Sequence, residues 1–142
     1  MNIDGVHNGI VLDHIRAGDS MRLYNLLNLG DLECTVAIIQ RVESEKYGRK
    51  DIIKIDQEID VDLDALGYID PRITVNVVKD GALAEKKHLE LPQTLRNIVR
   101  CKNPRCVTSQ EETADHIFVL VDPERELYRC VYCEAAADKR TV

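Results

Sequence analysis

The sequence predicts an α+β chain in two units: a mostly antiparallel five-stranded sheet with two helices, ferredoxin-like in order, then a small all-β unit. Three observations lead there. Short β-branched runs and short leucine-rich stretches alternate as strand, helix, strand, strand, helix, strand, strand across residues 1–91. Leu91-Pro92 then breaks the pattern. Residues 99–142 carry few large apolar side chains but hold four of the five cysteines.

Each element has its own signal. Residues 9–15 (Gly-Ile-Val-Leu-Asp-His-Ile) are apolar, β-branched and bounded by glycines, which predicts a strand. Asp19 is placed to cap a helix with Leu23, Leu26, Leu27 and Tyr24 on one face, ended by Gly30. Residues 34–42 form a second strand whose Val36 and Ile38 alternate with Ala37 and Ile39; apolar content on both faces predicts a central position. Tyr47-Gly48-Arg49 turns into a third strand over 50–55. Asp60 is expected to cap a short helix through Leu63 and Leu66 that closes at Gly67. Residues 73–78 make a fourth strand, and Lys79-Asp80-Gly81 turns into a fifth over 82–89. Residues 92–98 are expected to be a connector, with Pro92 in the first turn of a short helix through Leu95 and Ile98. In the last unit, strands over 116–121 and 127–129 flank the Asp122-Pro123-Glu124 turn. Such a sheet, with helices on one side, leaves its other face free for a partner.

Composition narrows the function. The chain is 31% charged and 44% hydrophobic, the balance of a folded soluble domain. No run approaches the roughly 20 apolar residues of a membrane span, and Met1 to Gly5 lack a secretory pattern. A cytoplasmic protein with reduced thiols is expected. Net charge is −6, and residues 97–142 carry seven Lys and Arg against eight Asp and Glu. A stand-alone zinc-ribbon nucleic-acid binder, the alternative reading, needs a cationic face there and does not have one. With no Trp and Phe118 as the only Phe, base-stacking platforms are also lacking.

The cysteines carry the strongest chemical signal. Cys101 and Cys106 are spaced C-x4-C, and Cys130 and Cys133 are spaced C-x2-C, with 23 residues between the pairs. Four thiolates from two tight turns can enclose one zinc ion with no position left for water or substrate, so such a site is structural. About forty residues with a small core need a staple of this kind. Iron also accepts four thiolates, a redox Cys-x-x-Cys uses the second spacing, and four unrelated buried cysteines are the plain alternative. Cys34, inside an apolar strand, is given no role.

No phosphate-binding loop, nucleophile elbow or His-Glu-x-x-His motif is present, and His7, His14, His88 and His116 lie in separate segments. Asp13-His14 could be an acid/base pair, but neighbours on a regular strand face opposite ways. Lys50 and Lys54 share one strand face by the period of two, opposite Ile53 and Ile55. With Lys86 and Lys87 from the fifth strand and Asp13 from the first, they could line a pocket for phosphates; solvated edge lysines are the simpler explanation.

At this level the chain resembles the regulatory chain of aspartate carbamoyltransferase. The resemblance rests on residues 9–15, residues 48–55 (Gly-Arg-Lys-Asp-Ile-Ile-Lys-Ile), Thr74-Val75-Asn76, Leu91-Pro92, and the two cysteine pairs followed by Glu134. It spans nearly the whole length. It implies a non-catalytic regulatory subunit in pyrimidine biosynthesis: an allosteric domain over 1–91 that binds CTP and ATP, and a zinc-binding domain over 99–142 that docks on the catalytic chain. It also implies a homodimer of regulatory chains bridging catalytic trimers. By matching position, the nucleotide site would comprise Asp4, Val6, Val11, Asp13, His14, Ile52, Lys54, Asn76, Val78, Leu83 and Lys86. Lys86 would be the main triphosphate ligand, Lys54 a base and ribose contact, and Asp13 a ribose partner. Asn103 and Glu134 would contact the catalytic chain.

Overall fold

The computed structural model describes residues 4–138, so the outermost ends of both expected units lie outside the described residues. Eight strands and three helices follow one another: β1 Gly9–Arg16, α1 Ser20–Leu26, β2 Val36–Ser44, β3 Gly48–Ile55, α2 Leu63–Ile69, β4 Thr74–Lys79, β5 Ala82–His88, β6 Thr94–Arg96, α3 Val107–Gln110, β7 Ile117–Asp122 and β8 Leu127–Cys130. The first five strands form one sheet in the order β2-β3-β1-β4-β5, every neighbour antiparallel. The remaining three form a second sheet in the order β6-β7-β8.

Strand parity decides which face each residue takes. Ile10, Leu12, Ile53, Ile55 and Val75 point to one face and pack with Leu23 of α1 and Leu66, Tyr68 and Ile69 of α2. That is the main core. On the opposite face a small cluster of Val6, Val11, Ile52 and Val78, flanked by Val42, lies beneath no helix.

The boundaries differ from the sequence expectation in instructive ways. β2 is an edge strand, with no buried residue along its length; its apolar residues line an exposed margin instead of a sheet centre. α1 stops at Leu26, and the left-handed turn expected at Gly30 falls at Asn28 (φ 54°), before a single 3-10 turn over Leu29–Asp31. Asp19 makes no side-chain cap, and Asp62, not Asp60, caps α2 by accepting from the Ala65 N–H at 3.1 Å. Gly67 lies inside α2: a Cβ there would stand 2.3 Å from the Glu90 carbonyl oxygen, so its bare Cα lets the helix press onto the connector. The connector is not helical. Residues 94–96 pair with β7 and bury Leu95, making a three-stranded unit where two strands were expected.

The two units share one core. Leu95, Val99, Phe118 and Tyr128 belong to the same buried cluster as Leu66, Tyr68 and Ile73. The Tyr128 hydroxyl also donates to the Pro92 carbonyl, tying β8 to the start of the connector.

Candidate functional site

Two constellations stand out: the uncovered face of the large sheet and the cysteine cluster. Register aligns Lys54, Val11, Asn76 and Lys86 as direct neighbours across β3, β1, β4 and β5. Lys54 is 9% exposed and donates from Nζ to the Asp4 carbonyl at 3.0 Å. Asn76 is fully buried; its Nδ2 donates to the Val11 carbonyl at 3.1 Å, while its Oδ1 takes no donor among the described residues. A buried acceptor left this way costs about 1–3 kcal/mol unless something donates to it. Val6, Ile52 and Val78 supply the apolar floor, and Leu83, opposite Val78 on β5, is 47% exposed. Lys87 pairs with core-facing Val75 and therefore leaves the face that Lys86 occupies.

Asp13 and His14 do not follow strand alternation. Leu12 pairs with Ile53 and Ile15 with Asp51, so two residues of β1 stand opposite Ile52 alone. His14 takes φ 60°, the mark of a bulge. Both flanking residues, Leu12 and Ile15, stay in the main core, so Asp13 and His14 come to the same side. Asp13 Oδ1 accepts from Lys50 Nζ at 2.9 Å and from the His14 N–H at 2.7 Å. Burial alone would raise the Asp13 carboxyl, but these partners outweigh it and hold it below the ordinary range. His14 Nδ1 lies 3.1 Å from Thr74 Oγ1. Burial, helped by Lys50, Lys86 and Lys46, lowers the His14 pKa against the pull of Asp13.

One buried group beside this bulge, facing Ile15 in the β1–β3 register, escaped the sequence reading. Asp51 is fully buried and accepts from the N–H groups of Gly18 (3.0 Å), Ser20 (3.2 Å) and Arg41 (3.0 Å). It thereby fixes the end of β1, the start of α1 and a second bulge in β2, where Arg41 has φ 61°. Burial opposes its charge, yet the donors hold its carboxyl below the ordinary value. The available signal was a carboxylate sharing strand parity with Ile53 and Ile55.

The four cysteine sulfurs converge from two knuckles. Cys101 follows the connector, Cys106 starts α3, Cys130 ends β8 and Cys133 lies three residues on. Their Sγ atoms all lie within 4.8 Å of one another, with Cys101–Cys133 at 3.5 Å and Cys106–Cys130 at 3.8 Å. Thiolates bound at about 2.3 Å to a tetrahedral ion stand about 3.8 Å apart, so the set fits a metal ion. Thr108 Oγ1 donates to Cys106 Sγ at 3.1 Å. The Ala135 N–H, then the Asn103 side chain, draw the Cys133 thiol down to about 6, whereas burial pushes Cys101 up to about 12. Asn103 is thus part of the knuckle, its carbonyl also accepting from the Cys106 N–H at 3.0 Å. Glu134 is exposed at the second knuckle with φ 66°. Bound to one tetrahedral ion, four sulfurs would fill its coordination shell and leave no position for a reactant.

A sheet with an open polar face, joined through one core to a four-cysteine cluster, defines a two-unit metal-binding protein. Two family models bear on which: the allosteric domain of the aspartate carbamoyltransferase regulatory chain matches residues 1–90, and the metal-binding domain of the same chain matches residues 93–142. Similar curated proteins, each named aspartate carbamoyltransferase regulatory chain, come from Clostridium tetani (47% identical, covering 94% of both chains) and Clostridium acetobutylicum (47%, covering 94% and 92%). One from Bifidobacterium longum is 41% identical, covering 96% of this chain and 99% of its own. The chain belongs to the family of aspartate carbamoyltransferase regulatory chains. Its partner is accordingly a catalytic chain. Among the described residues no helix is long and apolar enough to cross a membrane.

Proposed function

We propose that the uncovered sheet face binds nucleoside triphosphates, with CTP and ATP as opposing effectors of the partner's activity. The single observation behind this is the row Lys54–Val11–Asn76–Lys86, which puts two ammonium groups and a buried amide on one line across four strands. Lys86 takes the triphosphate. Lys54 meets the base and ribose, and Asn76 Oδ1 gains a ligand amino or hydroxyl donor. Phosphate draws Lys50 away from Asp13 and frees that carboxylate for a ribose hydroxyl. Asp4, Val6, Val11, His14, Ile52, Val78 and Leu83 complete the lining.

The metal is zinc, held by Cys101, Cys106, Cys130 and Cys133 and supplying cross-linking alone. A reducing cytoplasm would keep these four thiols out of disulfides and available to the metal. The zinc unit docks on the catalytic chain through the knuckles carrying Asn103 and Glu134. Regulatory chains pair through their nucleotide domains and so bridge two catalytic trimers. An effector acts only through different affinity for the two states of the assembly, about 1–3 kcal/mol of coupling. A purine and a smaller pyrimidine set the strands differently, and the shared core carries the difference to the zinc unit.

The test is a Lys86→Glu chain reconstituted with catalytic trimers. Its carboxylate repels phosphate, so CTP and ATP titrations should go flat while assembly persists. Wild-type titrations in which the two nucleotides act identically would remove the opposing-effector claim, and an unchanged titration in the variant would remove Lys86.

A further inference from the structure

Three arginines from three separate elements line one cavity beside His14. Arg16 ends β1, Arg49 begins β3, and Arg72 lies in the loop between α2 and β4. Together with His14 and Tyr47 they line a cavity of about 590 Å³, and no carboxylate lines it. In a chain of net charge −6 this local excess does not follow from composition.

Two of these arginines, Arg49 and Arg72, are held by further contacts. The Arg72 guanidinium stacks 5.2 Å from the Tyr47 ring centroid, and Lys46 Nζ stands 5.4 Å from it. The His14 ring meets Tyr47 edge-on at 6.0 Å. Asp70 grips Arg72 through Nε (3.0 Å) and Nη2 (3.2 Å), fixing the guanidinium plane from behind. Arg49 donates from Nη1 to the Arg41 carbonyl at 3.0 Å. With cations against it, Tyr47 serves as a support for charge instead of a base-stacking platform.

We propose that this cavity is a second anion site, for a phosphate group, separate from the row of Lys54 and Lys86 and touching the effector face only at His14. Planar guanidinium forks match phosphate oxygens in pairs, and arginines from three elements approach a tetrahedral anion from different sides. The site stands on its own geometry, whether or not the sheet face takes nucleotides.

The experiment is pyrophosphate titration by calorimetry at fixed ionic strength, using the full chain carrying Lys86→Glu to suppress anion binding on the sheet face. Saturable binding is expected. Adding Arg16→Ala and Arg49→Ala should weaken it at least about tenfold, whereas removing the same charge with Lys79→Ala and Lys87→Ala should leave it within about twofold. Thermal melting and far-ultraviolet spectra verify that each variant is folded, and Arg16→Ala alone substitutes for the pair if that is not. No saturation in the Lys86→Glu chain, equal affinity in the arginine pair, or equal weakening in the lysine pair would overturn the site. Failure of the effector reading shows separately, as CTP affinity that Lys86→Glu leaves untouched. Displacement of pyrophosphate by CTP assigns the occupant to a nucleotide's phosphates; its absence assigns a free phosphate anion. Displacement instead by an acidic peptide of the catalytic chain, with pyrophosphate bound only at concentrations that chloride matches, would also overturn it.

Discussion

Tyr68 of α2 meets Tyr128 of β8 edge-on, with ring centroids 5.2 Å apart and planes at 87°. Both are about 1% exposed, and they join helix and cysteine-bearing sheet across the boundary between the units. Perpendicular rings at this distance put the positive edge of one against the negative face of the other, worth about 0.5–1.5 kcal/mol beyond the area they bury. The two units are therefore packed against each other through one buried contact.

Cutting this joint should uncouple the units. Tyr68→Ala should cost about 3–5 kcal/mol and split a single urea transition into two, followed by far-ultraviolet signal and by metal release. Tyr128→Phe keeps the ring pair and loses only the hydrogen bond to Pro92, about 1 kcal/mol. One unsplit transition in Tyr68→Ala would mean that the joint carries no coupling.

Alkali should open the same joint. Burial, as the main cause, pushes Tyr68 and Tyr128 each up to about 12. The folded pKa lies above the ordinary value near 10, so the neutral, packed form is fully stabilising below about pH 10 and that stability drains as pH rises toward 12. Tyrosinate absorbance should show two late-titrating tyrosines whose ionisation coincides with loss of structure. If all tyrosinate absorbance develops before structure is lost, burial of this pair is not what protects them.

Metal removal should reach past the knuckles. Four-thiolate sites supply on the order of 10 kcal/mol of folding energy, and Cys101, Cys106 and Cys130 lie in the same cluster as Leu66 and Tyr68. Chelation or Cys106→Ser should unfold the zinc-side sheet, release catalytic trimers on gel filtration, and lower the melting point of the remaining sheet by several degrees. Stripped chain that still assembles normally would exclude the docking role.

Asp51 should control both acid stability and the shape of the effector face. Its folded carboxyl, like that of Asp13, is held below the ordinary value of 3.8. The sign follows: the stabilisation is present above about pH 4 and is lost as pH falls through the lower folded values. Asp51→Asn sets an amide against N–H donors, at about 1–3 kcal/mol for each group left without a partner. Urea midpoints should fall at pH 7 and depend less on acid than in the parent, and nucleotide affinity should fall as the His14 bulge relaxes. Affinity unchanged in a destabilised variant would confine Asp51 to a structural role.

Much of this was legible in residue order. Strand parity gave the core face, since Ile53 and Ile55 or Ile10 and Leu12 need only alternation and burial. Lys50, Lys54, Lys86 and Lys87 were identifiable only as a group of candidates, from which the family resemblance singled out Lys54 and Lys86; the pairing of β4 with β5 puts Lys87 on the other face from Lys86. The bulge at Asp13 and His14 was hidden because it is a shift in the register of β1 against β3, from Leu12 opposite Ile53 to Ile15 opposite Asp51, which no local pattern encodes. Position 94–96 misled for a similar reason: Pro92 and Leu95 suit a helix locally, and pairing with β7 overrides that preference.

By itself the sequence determined the alternation of strands and helices and the paired cysteine spacing, which depend on local periodicity or fixed chain separation, and it determined the family through a resemblance along nearly its whole length. Tertiary structure alone decided that β2 lies at the edge, that Asp13 and His14 share a side, and that Tyr68 and Tyr128 weld the two units. Those outcomes are set by contacts between segments far apart in the chain, where burial and hydrogen-bond satisfaction outweigh local preference.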